Sequence, residues 1–396
     1  MSNMIERSGK VLMNTYARFP IVFTGGSGVY SEDQHGRKYL DFLAGIAVNV
    51  LGHAHPALSS AISEQSRKMI HCSNLYHIPQ QTLLAEKLTA NSGFDRAFFC
   101  NSGTEANEAA LKLARKWGGQ HKNGASGIIS LEHSFHGRTM GALSLTGQTK
   151  YQDKFHPLMP GIRFVPLNDI DSLASAIDEE TCAVFIEPVQ GEGGIFPARS
   201  AYLKEVRRLC DESNTLLIFD EVQCGLGRTG HLFAHQYYEV EPDVITLAKA
   251  LGGGFPIGAL LAKDSASVFE PGDHGSTFGG SPLASAAALA VLTELIDHDL
   301  IGHAREVGAY LQLKLNGLAD KTPSIKEVRG VNLMVGLELD TEAGPVIEKC
   351  HGAGLLVGKA GPMVLRLVPP LIIEKEHVDT CIGILETVLH SMEAHP

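Results

Sequence analysis

A rhythm constrains this chain more than any other feature. From about residue 55 to 300, short apolar runs alternate with stretches of helical periodicity. The runs include residues 97–100, 127–130, 183–186, 216–219 and 244–247. Runs this short and this apolar read as buried strands. Strands that alternate with helices make a mostly parallel sheet, because each crossover needs a helix to bring the chain back to the same edge. The clearest helix follows Thr104, where Ala106, Ala109, Ala110, Leu113, Ala114 and Trp117 fall on one face.

After about residue 300 the character changes. A helical stretch over 301–318 precedes strand-like segments at 325–330 and 333–339, which suits a smaller α+β domain. The first fifty residues carry strand-and-turn signals around Gly25-Gly26-Ser27-Gly28 and Gly36. The expected organisation is an N-terminal segment, 1–54, packing with a C-terminal small domain, 301–396, around a large α/β domain, 55–300. There is no internal repeat and no low-complexity tract.

Composition excludes several function classes. The formal charge of −11 argues against nucleic acid or an anionic membrane as partner. The seven cysteines are odd in number and scattered, with no C-x-x-C pair, which suits free thiols in a reducing compartment. His53 and His55 are close together, but no carboxylate or thiol joins them at ligand spacing, so no metal is expected. Residues 1–10 lack an apolar signal core, and no run of about 18 apolar residues exists to span a membrane. A cytoplasmic location is expected.

Two of the apolar runs end in reactive groups. Residues 244–248 lead into Lys249 and then Gly252-Gly253-Gly254, while residues 216–219 lead into Asp220-Glu221. Ligands bind at the C-terminal strand edge of parallel α/β sheets. A lysine there can condense with an aldehyde, and a carboxylate can hold a heterocyclic nitrogen protonated. A third run, 97–100, leads into Asn101-Ser102-Gly103-Thr104 and then the helix. Ser102 and Glu105 have capping-box spacing. These residues suit a plain N-cap. They also suit a phosphate, since a helix N-terminus offers free N–H groups, Gly103 allows close approach and the hydroxyls of Ser102 and Thr104 add donors. Lysine, carboxylate and phosphate cup together are what pyridoxal phosphate asks of a protein.

Other residues fit around such a ring. Gln223 can donate to its phenolic oxygen, Val222 can lie against one face and Phe135 can stack on the other. Arg138 can bind a carboxylate in two-pronged fashion. Phe135 and Arg138 also suit a core ring and a solvated charge. Glu187 ends the run 183–186, and Glu192 sits in a glycine-rich turn. They suit a glycosidase pair, or a carboxylate neutralised by an arginine. Arg366 lies inside the apolar run 364–368 and needs a partner or a ligand. Gly225-Leu226-Gly227-Arg228-Thr229-Gly230 matches G-x-G-x-x-G, but no helix pattern opens there, so it is not read as a dinucleotide site.

The combined segments resemble the class III (ornithine-type) aminotransferases, pyridoxal phosphate (PLP) enzymes of fold type I. They are Phe99-Cys100-Asn101-Ser102-Gly103-Thr104-Glu105-Ala106, Phe135-His136-Gly137-Arg138-Thr139, residues 187–194, 219–230, 247–254 and 275–280. The resemblance spans nearly the whole chain and is greatest to the acetylornithine branch. It implies a large domain with a mostly parallel sheet plus a smaller α+β domain, and a homodimer with its active site at the subunit interface. It makes Lys249 the covalent tether and proton shuttle and Asp220 the partner of the ring nitrogen. Gln223 contacts the phenolic oxygen, Phe135 and Val222 enclose the ring, and Ser102, Gly103 and Thr104 hold the phosphate. Thr277 would reach the phosphate of the neighbouring subunit. Arg138, Ser276 and Tyr16 would face substrate. Glu192 and Arg366 would form a switch that closes over a neutral or cationic side chain and opens to bind a glutamate carboxylate.

The implied reaction moves the δ-amino group of N-acetylornithine to 2-oxoglutarate, a step of arginine biosynthesis. Succinylornithine, ornithine, succinyldiaminopimelate and γ-aminobutyrate stand as alternative donors. A PLP-binding protein without turnover stands as the alternative from another class.

Overall fold

The computed structural model describes residues 4–393; residues 1–3 and 394–396, at the outer ends of the expected terminal segments, lie outside the described residues. Seven strands form the central sheet: β1 (Arg96–Cys100), β2 (Gly127–Leu131), β3 (Ile162–Val165), β4 (Thr181–Ile186), β5 (Leu216–Asp220), β6 (Val244–Leu247) and β7 (Gly258–Ala262). Their spatial order is β1-β7-β6-β5-β4-β2-β3. From β6 through β3 every pairing is parallel. β7 runs against both of its neighbours, so β1 points the same way as the other five.

Burial explains the near-continuous apolar runs. Every residue of β2, β4, β5, β6 and β7 is buried, whereas β1 and β3 at the two edges are only partly so. The two-residue strand period sends alternate side chains to opposite faces. Ile218, Phe185, Ile128 and Val244 join one core with Ala109, Ala110, Leu113 and Trp117 of the helix Gly103–His121. Leu217, Phe219, Val184 and Ile245 join the other, which continues under the C-terminal part of the chain.

That C-terminal part holds a second sheet. Ile325–Val331, Met334–Leu339, Val364–Leu367 and Gly358–Lys359 pair in antiparallel order, flanked by the helices Leu300–Ala319 and Lys375–Glu393. The N-terminal strands Phe23–Ser27, Tyr30–Asp33 and Lys38–Asp41 form a meander, and Lys38–Asp41 pairs in parallel with Leu355–Leu356. Head and tail of the chain thus share one sheet. Among the described residues no helix is long and apolar enough to cross a membrane, and all seven cysteines are free.

Candidate active site

The aligned strands put their C-terminal ends along one edge. The segments after β1, β2, β4, β5 and β6 supply residues 101–104, 135–138, 187, 220, 222, 223 and 248–249, and these surround one cavity of about 400 Å³. Lys249, Asp220, Val222, Gln223, Phe135, Arg138, Ser102, Gly103 and Thr104 all line it.

Lys249 leaves β6 with φ at 41°, in the left-handed region that a lysine seldom adopts. Such a residue costs about 1–3 kcal/mol, and Lys249 lines the cavity at the end of its strand. Burial pulls its ammonium pKa below the usual value; the nearby Arg366 adds to this and Glu192 opposes it.

Asp220 sits at the floor, 4% exposed. Its Oδ2 accepts from Asn107 Nδ2 at 2.8 Å and meets His136 Nδ1 at 2.8 Å; its Oδ1 accepts from the backbone N–H of Val222 at 2.9 Å. Asn107 is held in turn, donating to the His136 carbonyl at 2.7 Å and accepting from Thr246 Oγ1 at 2.7 Å. The aspartate therefore cannot rotate away from the cavity without breaking several buried bonds. Asn107 and His136 were not singled out from the sequence. The available signal was Asn107 itself, a polar residue beside Ala106 on the helix's apolar face.

The phosphate cup is built by the helix start. Ser102 is the N-cap and its Oγ accepts from the N–H of Glu105 at 3.3 Å. The Glu105 carboxylate reaches back to the N–H of Asn101 at 2.6 Å, one residue earlier than a standard capping box. A Cβ on Gly103 would lie 2.8 Å from Val222 Cγ1, and one on Gly137 would lie 2.1 Å from Thr104 Oγ1. Both glycines keep open a cleft bordered by Val222 and Thr104. The helix-start N–H groups and hydroxyls, a fixed carboxylate, a lysine and the Phe135 ring all line one cavity, and that set fits PLP.

Two carboxylates follow β4, and their roles divide. Glu187 is buried and accepts from the N–H of Phe135 at 2.8 Å and of Gly191 at 3.1 Å. Burial and the neighbouring Asp220 raise its carboxyl pKa, against the pull of His136. Glu192 forms an ion pair with Arg366. Burial raises its pKa, but the Arg366 guanidinium, Lys249 and the Gln223 amide together outweigh that and the pKa is lowered. Arg366, 3% exposed, also donates from Nη1 to Gln223 Oε1 at 3.2 Å and to the Gly191 carbonyl at 3.3 Å. Gln223 Nε2 donates to Glu192 Oε1 at 3.3 Å, so Gln223 bridges the pair to the cavity.

Not every expected residue comes to this cavity. Tyr16 is 70% exposed with the Arg18 guanidinium over its ring. Thr277 is exposed, and it lies with Ser276 in a separate cleft beside Asn101 and His274. The Ser276 hydroxyl accepts from Asn101 Nδ2 at 3.1 Å and from the N–H of Gly279 at 3.0 Å. Arg138 is exposed at the rim, its guanidinium 4.1 Å from the Tyr151 ring centre and 5.5 Å from that of Phe135. Val48 also lines the cavity. It follows a left-handed turn in which Ala44, Gly45, Ile46 and Ala47 all have positive φ, something the sequence did not announce.

Comparison with known proteins agrees with this geometry. A family model described as aminotransferase class III matches residues 12–389. The chain belongs to the class III aminotransferases. It is 54% identical over 380 residues to an acetylornithine aminotransferase of Gloeobacter violaceus, covering 95% of each chain. It is 52% identical over 382 residues to one of Clostridium acetobutylicum, covering 96% of this chain and 99% of that one. Among solved structures, an ornithine aminotransferase from Toxoplasma gondii matches with a TM-score of 0.95 at 34% identity, over 99% of this chain and 95% of that chain. An N-acetylornithine aminotransferase from Stenotrophomonas maltophilia matches at 0.85 and 37% identity, over 99% and 100%. This class III aminotransferase is thus a PLP-dependent transaminase of fold type I, and the nicotinamide, glycosidase and non-catalytic readings fall away.

Proposed function

We propose that the chain transfers the terminal amine of N2-acetyl-L-ornithine to 2-oxoglutarate in two half-reactions, giving N-acetylglutamate semialdehyde and glutamate. The observation that carries this reading is the Glu192–Arg366 pair, bridged to the cavity by Gln223. Closed, the pair stands neutralised behind Gln223 and would offer no net charge to a donor whose reacting end is a plain amine. Opened, it frees Arg366 to bind the side-chain carboxylate of glutamate in two-pronged fashion. The acetylornithine aminotransferases among the relatives support the choice of donor.

PLP, when bound, supplies an aldehyde to Lys249 and an electron-withdrawing ring. Ser102, Gly103 and Thr104 would hold its phosphate, Phe135 and Val222 its faces, Gln223 its phenolic oxygen and Asp220 its ring nitrogen. The lowered pKa of Lys249 favours the free amine, which is both the nucleophile and the base that takes a proton from the amine-bearing carbon. With the cofactor bound, Lys249 Nζ would be the group that carries this proton across the transferred nitrogen. Asp220, held by Asn107 and His136, would face the ring nitrogen. Arg138 at the rim would hold the donor's α-carboxylate, with Tyr16 and Ser276 as further substrate-facing groups.

A homodimer belongs to this reading, with Thr277 contributed to the neighbour's phosphate site. Asn74 Nδ2 donates to the carbonyls of Ser276 and Gly279, tying residues 69–76 to the Thr277 loop. That region exposes Met69, Ile70, Leu75, Tyr76 and Phe278, an apolar surface suited to a second copy. The proposed organisation keeps 1–54 and 301–396 together around 55–300, in line with the strand pairing of Lys38–Asp41 and Leu355–Leu356.

The deciding experiment compares rates with acetylornithine, succinylornithine, ornithine and γ-aminobutyrate at equal concentration, with Lys249→Ala as the blank. Acetylornithine should be preferred and the blank inert. Preference for another donor, or turnover by Lys249→Ala, would overturn the reading.

A further inference from the structure

Arg228 lies in the glycine-rich turn that resembled a nucleotide loop, and the chemistry above makes no use of it. It is 1% exposed and among the largest fully buried side chains. Burial alone pushes its pKa down, to about 9, and no carboxylate contributes to the shift. A guanidinium this deep without a counter-charge is costly, and a methionine would fill the space more cheaply. Its contacts show what it does with that charge.

Nη1 donates to the carbonyl of Leu333 at 3.1 Å and to that of Pro369. In return, the Arg228 carbonyl accepts from the N–H of Leu333 at 3.3 Å. Nε and Nη2 have no protein acceptor among the described residues. Both carbonyls belong to segments that flank Arg366. Leu333 directly precedes Met334–Leu339, the strand in which Gly336 sits opposite Arg366, and Pro369 lies three residues after Arg366 in the chain. Arg228 itself follows Gln223, the residue that holds the Arg366 side chain. The two segments are therefore joined twice: side chain to side chain at Gln223–Arg366, and through backbone carbonyls at Arg228.

We propose that Arg228 is a positioning residue for Arg366, holding the strand that bears it at fixed distance from Gln223 and Glu192. Opening of the ion pair breaks the Gln223 link. The Arg228 link does not involve the Arg366 side chain and survives, so the exchange stays confined to one side chain while the strand remains in register. This inference rests on the proposed dual-substrate reading of the Glu192–Arg366 pair.

The test uses the PLP-loaded enzyme and its Arg228→Lys and Arg228→Met variants. Each half-reaction is followed separately by the cofactor's visible absorption, and the thermal midpoint is recorded. Lysine can reach one carbonyl but not both. Arg228→Lys should raise KM for 2-oxoglutarate roughly tenfold, leave KM for the amine donor within about twofold, and recover more than Arg228→Met does. In an Arg366→Met background the same change should add nothing to KM for 2-oxoglutarate. Equal rises for both substrates, or an undiminished effect in the Arg366→Met background, would show a general structural role and overturn the proposal. If wild type itself fails to use 2-oxoglutarate, the functional reading fails first, and that outcome is distinguishable. Should neither variant fold, hydrogen exchange of the amides at 364–368 in wild type decides. Protection unchanged by saturating 2-oxoglutarate supports the fixed strand, and loosening refutes it.

Discussion

Removing charge from the Glu192–Arg366 pair, singly and together, tests the site's electrostatics directly. At an effective dielectric of about 20, unit charges about 4 Å apart attract by about 4 kcal/mol. Arg366 is almost wholly buried, but the Glu192 side chain keeps 21% of its exposure, so water screens one partner. That screening roughly halves the attraction, to about 2 kcal/mol. Arg366→Met and Glu192→Gln should each destabilise the apoprotein, and the double variant should lose about 2 kcal/mol less than the two losses added. Urea unfolding followed by circular dichroism, at one protein concentration throughout, measures the cycle. The folded pKa of Glu192 is lowered, so the coupling is complete above the unfolded carboxyl value and disappears as pH falls through the folded one. It should be equal at pH 8 and pH 6 and fade below about pH 4. A coupling under about 0.5 kcal/mol at pH 8 would mean that the pair is an accident of proximity.

Three further outcomes are expected. Asp220→Asn should still bind PLP but slow proton removal from substrate about a hundredfold or more in single-turnover absorbance; an unchanged rate would remove Asp220 from its role. Asn107→Leu strips a donor from Asp220 and from the His136 carbonyl and strands Thr246 Oγ1, so it should cost about 1–3 kcal/mol in urea unfolding and slow the same step; full stability and rate would refute the network. Gly137→Ala forces a Cβ to 2.1 Å from Thr104 Oγ1 at a φ of +140°, and should weaken PLP binding at least about tenfold by titration of the apoprotein; unaltered affinity would show that the cup has room to give.

How legible the molecule was depends on the range of the interaction. The sheet announced itself because strands buried on both faces are near-continuously apolar, and residues 244–245 or 216–219 can satisfy that only in the interior. The helix after Ser102 showed its cap and its face because both are local. The reversed strand Gly258–Ala262 had no local mark of direction; its antiparallel course depends on where β1 and β6 lie. In the site, Lys249, Asp220 and Ser102 were legible as strand-end and helix-start residues. Asn107 and His136 were not, since their importance arises only when a helix and a loop converge on Asp220. Tyr16, Ser276 and Thr277 came from family likeness alone, and in one chain they stand away from the Lys249 cavity.

The pairing of Lys38–Asp41 with Leu355–Leu356 has a consequence for synthesis. The seven-strand layer is complete once residue 262 has left the ribosome, since β1 needs only β7 to close it. The opening meander must wait roughly a hundred residues longer for its parallel neighbour. During that interval its free hydrogen-bonding edge is open to any chaperone or sister chain nearby, so a nascent polypeptide stalled before residue 355 should be the species most prone to aggregate.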